Sequence, residues 1–150
     1  MTRRGFTLVE LVVVMSLAAL VFLMAAPGAA RVLERVKLES DARQMAWVIR
    51  QARQDAILKN QNQFIFFYPE YDYYRRANGK TYYLSKGIEF EGGTKFSTPR
   101  TCSFNGAGIP GSSGTAILSN RYGELRYVIV SSVIGRIRIS KLPPKTWTDS

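Results

Sequence analysis

The first part of the chain carries two helical patterns of different kinds. An almost unbroken apolar run extends over Leu11–Ala26, in which Ser16 is the one polar side chain. Between residues 31 and 60, apolar positions recur every three or four residues, which is typical of a helix with one buried face. The members of this stripe are Leu38, Ala42, Met45, Ile49, Ala52 and Ala56. We therefore predict one long N-terminal helix, apolar all round at first and amphipathic later, ending near residues 60–62.

The remainder of the chain has short apolar runs separated by turn residues, a pattern that predicts β-strands. The first predicted strand is 63–68, and Asn78-Gly79 is a two-residue signal for a hairpin turn. Further strands are predicted at 81–84, 88–90, 100–104, 115–119, 125–131 and 136–139. The glycine-rich stretch 106–113 predicts an irregular surface loop. A long helix followed by such strands predicts an α+β fold, in which the helix packs on an antiparallel sheet.

The apolar run is long enough to cross a membrane. Residues 6–30 would extend about 37 Å as a helix, which exceeds the hydrocarbon thickness of a bilayer. Arg3 and Arg4 precede the run, which favours a cytoplasmic N-terminus and places residues 31–150 outside. A secretory signal peptide is the alternative, but its apolar core is shorter and ends at a small-residue cleavage site. Glu10 also argues against it, because a charge within a bilayer costs roughly 2–3 kcal/mol and usually has a partner and a role.

Composition excludes several kinds of site. The chain has no histidine and one cysteine, Cys102, so it cannot form an internal disulfide, a usual zinc site or a histidine-based catalytic triad. No convergent set of polar residues indicates an enzyme, and we expect no cofactor or metal. The formal net charge of +10 favours an anionic partner such as nucleic acid, a lipid surface or an acidic subunit. Solubility alone explains that charge equally well.

The residues at the start of the apolar run resemble a known processing site. After the basic leader, Gly5-Phe6-Thr7-Leu8-Val9-Glu10-Leu11 is similar to the prepilin cleavage motif of type IV pilins and type II secretion pseudopilins. The resemblance implies that a membrane prepilin peptidase removes the leader 1–5 by cutting between Gly5 and Phe6, and then N-methylates Phe6. It also implies that the carboxylate of Glu10 pairs with the Phe6 ammonium of the next subunit in a filament, which offsets the burial of both charges.

A wider resemblance covers most of the chain. The segments 50–60, 104–108, 128–131 and 135–139 are similar to the GspH/FimT family of minor pseudopilins and minor pilins. The resemblance implies a pilin-like fold and a single-pass protein of the inner membrane. It also implies incorporation beside other pilin-like subunits, at or near the tip of a type II secretion or type IV pilus filament. A filament-forming major pilin fits less well, because such subunits often have a C-terminal disulfide loop.

DNA binding during DNA uptake is the alternative function. DNA-binding members of that family carry Gly-Arg-x-Arg near the C-terminus, and Gly135-Arg136-Ile137-Arg138 matches this pattern. In a strand, Arg136 and Arg138 would lie on one face, about 6.6 Å apart. Nearby basic residues extend this candidate DNA-binding stripe: Arg121, Arg126, Lys141 and Lys145. Such a stripe can contact phosphates without reading sequence, and the competing interpretation is a solvated strand face protected by its charge against edge pairing.

A second basic and aromatic segment lies between residues 68 and 83, outside the resemblance. Its aromatic and basic members are Tyr71, Tyr73, Tyr74, Arg75, Arg76, Tyr82 and Tyr83. Tyrosines interleaved with arginines can stack on single-stranded bases. The favoured interpretation is a solvent-facing hairpin that packs on its neighbours.

Overall fold

The computed structural model describes residues 7–132 and 134–144, and it describes the backbone alone at 23–27. The chain divides into two compact units, one ending at Leu33 and the other beginning at Glu34. Helix α1, Leu8–Lys59, begins in the first unit and ends in the second. The predicted leader 1–5, the cleavage residue Phe6 and the candidate stripe residue Lys145 lie outside the described residues.

The first unit is helical from Leu8 onward and carries apolar side chains on its surface. The hydroxyl of Thr7 accepts a hydrogen bond from the backbone N–H of Glu10 at 3.2 Å, and it thereby caps the N-terminus of α1. The large apolar side chains between Leu8 and Phe22 are all more than half exposed. The helix continues past Pro27, in agreement with the prediction of one long N-terminal helix. Within the described part of the chain, no helix reaches the length and hydropathy required to span a membrane.

In the second unit, α1 buries the apolar stripe that the sequence predicts. Leu38, Ala42, Met45, Ile49, Ala52 and Ala56 are fully buried, and Ala46 and Val48 widen the same face. The helix ends in a Schellman motif. Asn60 adopts a left-handed conformation with φ of 48°, and the N–H of Gln61 donates to the carbonyl of Ala56 at 3.1 Å.

Two antiparallel sheets complete the second unit. Their strands are β1 Gln63–Tyr68, β2 Tyr73–Arg76, β3 Thr81–Tyr83, β4 Ile88–Phe90, β5 Lys95–Phe96, β6 Thr101–Phe104, β7 Pro110–Ser112, β8 Gly114–Asn120, β9 Leu125–Val130 and β10 Ile137–Ser140. The first sheet has the order β3-β2-β1-β6-β7. The second has the order β10-β9-β8-β4, and β5 also pairs with β8. A short 3-10 helix, Pro69–Tyr71, joins β1 to β2.

A hydrophobic core joins α1 to both sheets. The first sheet contributes Ile65, Phe67, Tyr74, Tyr82, Cys102 and Phe104, and the second contributes Ile88, Ala116, Leu118, Val128, Val130 and Ile137. The predicted α+β fold, with a helix packed on antiparallel strands, is therefore confirmed, although the strands form two sheets. Cys102 is buried, and this burial raises the pKa of its thiol to about 12.

The predicted irregular loop at 106–113 is wrong in its second half. Residues of β7 pair with β6, and the buried hydroxyl of Ser112 donates to the carbonyl of Thr101 at 2.6 Å. The pairing is short and shifts register between Ser103 and Phe104. Strand β7 lacks the alternation of apolar and polar residues that predicts a strand. Its glycine and proline are more typical of loops, which is why the sequence predicted a loop here.

Candidate functional site

Glu10, the predicted assembly residue, lies in the first turn of α1 and is exposed. Thr7 and Glu10 have the Thr-x-x-Glu spacing of a capping box, in which the two residues satisfy each other's backbone N–H groups. The hydrogen bond from the Glu10 N–H to the Thr7 hydroxyl forms one half of this arrangement. The carboxylate also lies near the positive end of the helix dipole. This cap uses the backbone of Glu10, and the exposed carboxylate remains accessible to a neighbouring chain.

The Gly-Arg-x-Arg segment leads into β10, and Arg136 directly precedes this strand, which begins at Ile137. The strand predicted at 136–139 is thus shifted by one residue. Arg136 and Arg138 are exposed, whereas Ile137 between them is buried. Gly135 adopts a left-handed conformation with φ of 62°, which favours glycine at this position. The Nη1 of Arg53 on α1 donates to the carbonyl of Gly135 at 3.3 Å, so the helix fixes the backbone just before β10. Two exposed guanidinium groups on either side of a buried residue could contact two phosphates.

Arg126 does not belong to the surface stripe, and its inclusion there is wrong. Its side chain is 6% exposed. The Nε donates to the carboxylate of Glu39 on α1 at 2.8 Å, and the Nη1 donates to the carbonyl of Leu125 at 2.8 Å. Because the guanidinium is buried and already paired, it stabilises the packing of β9 on the helix and is not available to DNA.

Two further stripe residues remain at the surface. Arg121 has a side chain that is 57% exposed and lies 4.0 Å from the carboxylate of Glu34. Lys141, just after β10, is exposed and lines an open groove. With Lys145 outside the described residues, the surface part of the candidate stripe consists of Arg121, Arg136, Arg138 and Lys141.

The groove beside Lys141 contains an ion-pair network. It has a volume of about 560 Å³ and is lined by Arg35, Val36, Glu39, Ser40, Arg43, Arg126 and Lys141. Glu39 accepts hydrogen bonds from Arg126 at 2.8 Å and from Arg43 at 3.0 Å, while Arg35 pairs with Glu124 at 2.8 Å. The hydrogen bond from Arg126 lowers the pKa of Glu39, partial burial opposes it, and Arg43 adds to the lowering. Three of the four cations in the groove are thus neutralised by carboxylates of the same chain.

Alternate side chains of the aromatic segment 68–83 are buried in the core. The prediction of a solvent-facing hairpin is therefore wrong for these side chains. Tyr74 and Tyr82 are buried, and their stacked rings lie 5.3 Å apart. Arg76 is 4% exposed and pairs with Asp55 of α1. The predicted turn at Asn78-Gly79 is confirmed, but β2 and β3 extend the first sheet beyond β1, so alternate side chains point toward the helix.

Comparison with known proteins identifies a motif and a fold. Residues 1–26 match the model of the prokaryotic N-terminal methylation motif. The structure is similar to the minor pseudopilin EpsH from the type 2 secretion system of Vibrio cholerae, at 13% identity and a TM-score of 0.57, over 69% of this chain and 96% of that chain. It is also similar to the type IV minor pilin FimU of Pseudomonas aeruginosa, at 16% identity and a TM-score of 0.56, over 71% of this chain and 90% of that chain. A search of curated protein sequences gives no match.

These similarities confirm two of the sequence predictions, one about the N-terminus and one about the fold. The motif match confirms a prepilin-type N-terminus, which the residues from Gly5 to Leu11 predict. The similarity to EpsH and FimU confirms the pilin-like fold, a long N-terminal helix packed on antiparallel sheets. At 13–16% identity, the structural similarity concerns the fold alone.

Proposed function

We propose that this chain is a minor pilin or pseudopilin, a structural subunit of a type IV pilus or type II secretion filament and not an enzyme. The observation that carries the proposal is the combination of a prepilin methylation motif at 1–26 with a fold similar to EpsH and FimU. A prepilin motif at the start of a long helix suits a filament subunit, because neighbouring subunits can pack their N-terminal helices together. Its position is at or near the tip, beside other pilin-like subunits.

In this proposal, residues 6–30 anchor the precursor in the inner membrane, with the N-terminus in the cytoplasm and residues 31–150 outside. The exposed apolar side chains between Leu8 and Phe22 support it. Apolar surface in water costs about 25 cal/mol per Å². Lipid would remove this cost from the precursor, and the helices of neighbouring subunits would remove it from the assembled filament.

Processing tests the proposal directly. Coexpression of the full chain with a prepilin peptidase should remove residues 1–5 and leave an N-methylated Phe6 as the new N-terminus, which intact mass spectrometry measures. Gly5→Leu should block the cut, because a side chain at this position would crowd the peptidase site. A product that begins near Pro27 would instead indicate an ordinary signal peptide, and it would contradict the proposal.

A minor pilin that binds DNA is the second candidate function, favoured by the exposed pair Arg136 and Arg138. The buried Ile137 between them anchors the segment in the core and leaves both arginines exposed. Contacts of this kind go to phosphates and carry no sequence information. Such binding would therefore be weak, independent of sequence and strongly dependent on salt.

The salt dependence of duplex binding tests this second candidate. The full chain in a nonionic detergent should bind duplexes of unrelated sequence with a slope of log K against log salt of roughly −3 to −4, since each phosphate contact contributes about −0.9. Changing Arg136 and Arg138 together to Gln should flatten the slope by about two units.

The matched control is Arg43→Gln on α1, which removes an exposed arginine that already pairs with Glu39 and should change the slope less. Circular dichroism of each variant checks that the fold is retained. If duplex binding is undetectable at low salt, or if the double variant behaves as the parent does, Arg136 and Arg138 form an ordinary solvated face.

A further inference from the structure

The face of the first sheet that points away from α1 carries a row of tyrosines. The register pairs Tyr68 of β1 with Tyr73 of β2, and Tyr73 with Tyr83 of β3. The ring centroids of Tyr68 and Tyr73 lie 4.5 Å apart, and those of Tyr73 and Tyr83 lie 5.5 Å apart. Tyr71, in the 3-10 helix, lies 6.2 Å from Tyr73. We call these four residues the tyrosine cluster.

Core packing does not explain the tyrosine cluster. Its outer members, Tyr71 and Tyr83, are 68% and 71% exposed. Phe64 and Phe66 of β1 continue the aromatic surface on the same face, with ring centroids 6.3 Å apart and nearly parallel planes. Tyr68, Tyr73 and Phe66 are half-buried, so the patch is exposed mainly at its edges. A single exposed aromatic residue needs no explanation, but a contiguous aromatic patch at the surface marks a binding surface.

The cations beside the cluster indicate the chemistry of the ligand. Arg75 is exposed and lies directly opposite Phe66 in the strand register. Arg100 is 58% exposed and forms an ion pair with Glu70, which is 61% exposed. An ion pair as exposed as this one contributes little to stability, so a phosphate can replace the carboxylate. The face thus combines flat rings with guanidinium groups, as surfaces that bind single-stranded nucleic acid do.

We propose that the tyrosine cluster binds the unpaired bases of single-stranded nucleic acid, while Arg75 and Arg100 contact its phosphates. The rings of Tyr71 and Tyr83 are tilted by 32° and 49° to that of Tyr73, and both residues are largely exposed. Each therefore offers an accessible ring on which a base can stack. A duplex keeps its bases stacked inside and offers this face phosphates alone. The cluster belongs to the first sheet, whereas Arg138 belongs to the second. The proposal therefore stands independently of the filament role and of duplex binding.

The test is a titration of the full chain, in nonionic detergent, with a fluorescent oligothymidylate of about twelve nucleotides. Tyr83→Ala should weaken binding by about tenfold, because it removes one stacking surface. Tyr83→Phe retains the ring and should bind as the parent does. Since Tyr83 is largely exposed, both variants should fold normally, and circular dichroism checks this.

Two controls separate stacking from charge. An abasic oligomer of the same length should bind more weakly than oligothymidylate, and the Arg136→Gln, Arg138→Gln double variant should bind oligothymidylate as the parent does. Equal affinity for the abasic oligomer, equal affinity of Tyr83→Ala and the parent, or no binding at low salt would each overturn the proposal. If Tyr83→Ala reduces filament incorporation while the parent binds no oligothymidylate, the face contacts a neighbouring subunit and the proposal is likewise overturned.

Discussion

Glu10→Gln should leave the precursor folded, inserted and processed, but it should sharply reduce incorporation into the filament. The N–H that donates to the Thr7 hydroxyl belongs to the backbone of residue 10, so glutamine retains this cap and removes the negative charge. In the proposed filament, the Phe6 ammonium of the neighbouring subunit would lose its partner, and an uncompensated buried charge costs about 3–5 kcal/mol. Because each 1.4 kcal/mol is about a tenfold change in an equilibrium constant, the loss should exceed roughly a hundredfold. Immunoblotting of sheared filaments and of membranes measures the incorporated fraction.

Two companion variants separate the cap from the charge. Thr7→Ala removes the hydroxyl that accepts the hydrogen bond from Glu10 and should still be incorporated, because the carboxylate remains. Glu10→Val keeps the backbone N–H that donates to Thr7 and removes the carboxylate. It should insert into the membrane at least as well as the parent, since a charge has been removed from the apolar segment. Normal incorporation of Glu10→Gln would show that the charge of Glu10 has no pairing role in assembly.

Asp55→Ala should lower the free energy of unfolding by about 3 kcal/mol. The guanidinium of Arg76 is buried beneath β2 and donates to the carboxylate of Asp55 and to the side-chain oxygen of Gln51, the latter at 3.1 Å. Its Nε has no hydrogen-bond partner among the described residues. Removing Asp55 therefore leaves a buried positive charge with a single neutral acceptor. Thermal unfolding followed by near-ultraviolet circular dichroism measures the loss.

The exposed ion pair between Arg100 and Glu70 provides the matched control. Glu70→Ala should change the stability by less than about 1 kcal/mol, because both charges remain solvated. A double variant, Asp55→Leu with Arg76→Met, should recover much of the loss, since an apolar pair can replace a buried ion pair. If Asp55→Ala and Glu70→Ala have equal effects, the pair beneath β2 does not carry the expected energy.

Local sequence signals were sufficient to predict α1 and several strands. The apolar stripe from Leu38 to Ala56 is fully buried as predicted, because a spacing of three and four residues places side chains on one face of any helix. Strands β1 and β4 have the predicted bounds, 63–68 and 88–90. The prepilin motif is also local, since its residues are adjacent in the chain, and the match at 1–26 confirms it.

Local sequence signals did not predict which basic residues lie at the surface and which are paired inside the protein. Arg126 is paired with Glu39, which is 87 positions away in the chain, and Arg76 with Asp55, 21 positions away. Strand β9 is buried on both faces, so its sequence lacks the alternation that would show which side chains point toward the helix. A charged residue in such a strand therefore looks like a surface residue until its distant partner is known.

By itself, the sequence determined the long helix, the prepilin-type N-terminus and the β-rich second half, because each depends on residues that are neighbours in the chain. Only the tertiary structure decided that Arg126 is buried while Arg136 and Arg138 are exposed, and that alternate tyrosines of β2 and β3 form either core or surface. The physical reason is that a strand presents two faces with equal geometry. The helix and sheets packed around it determine which face is covered.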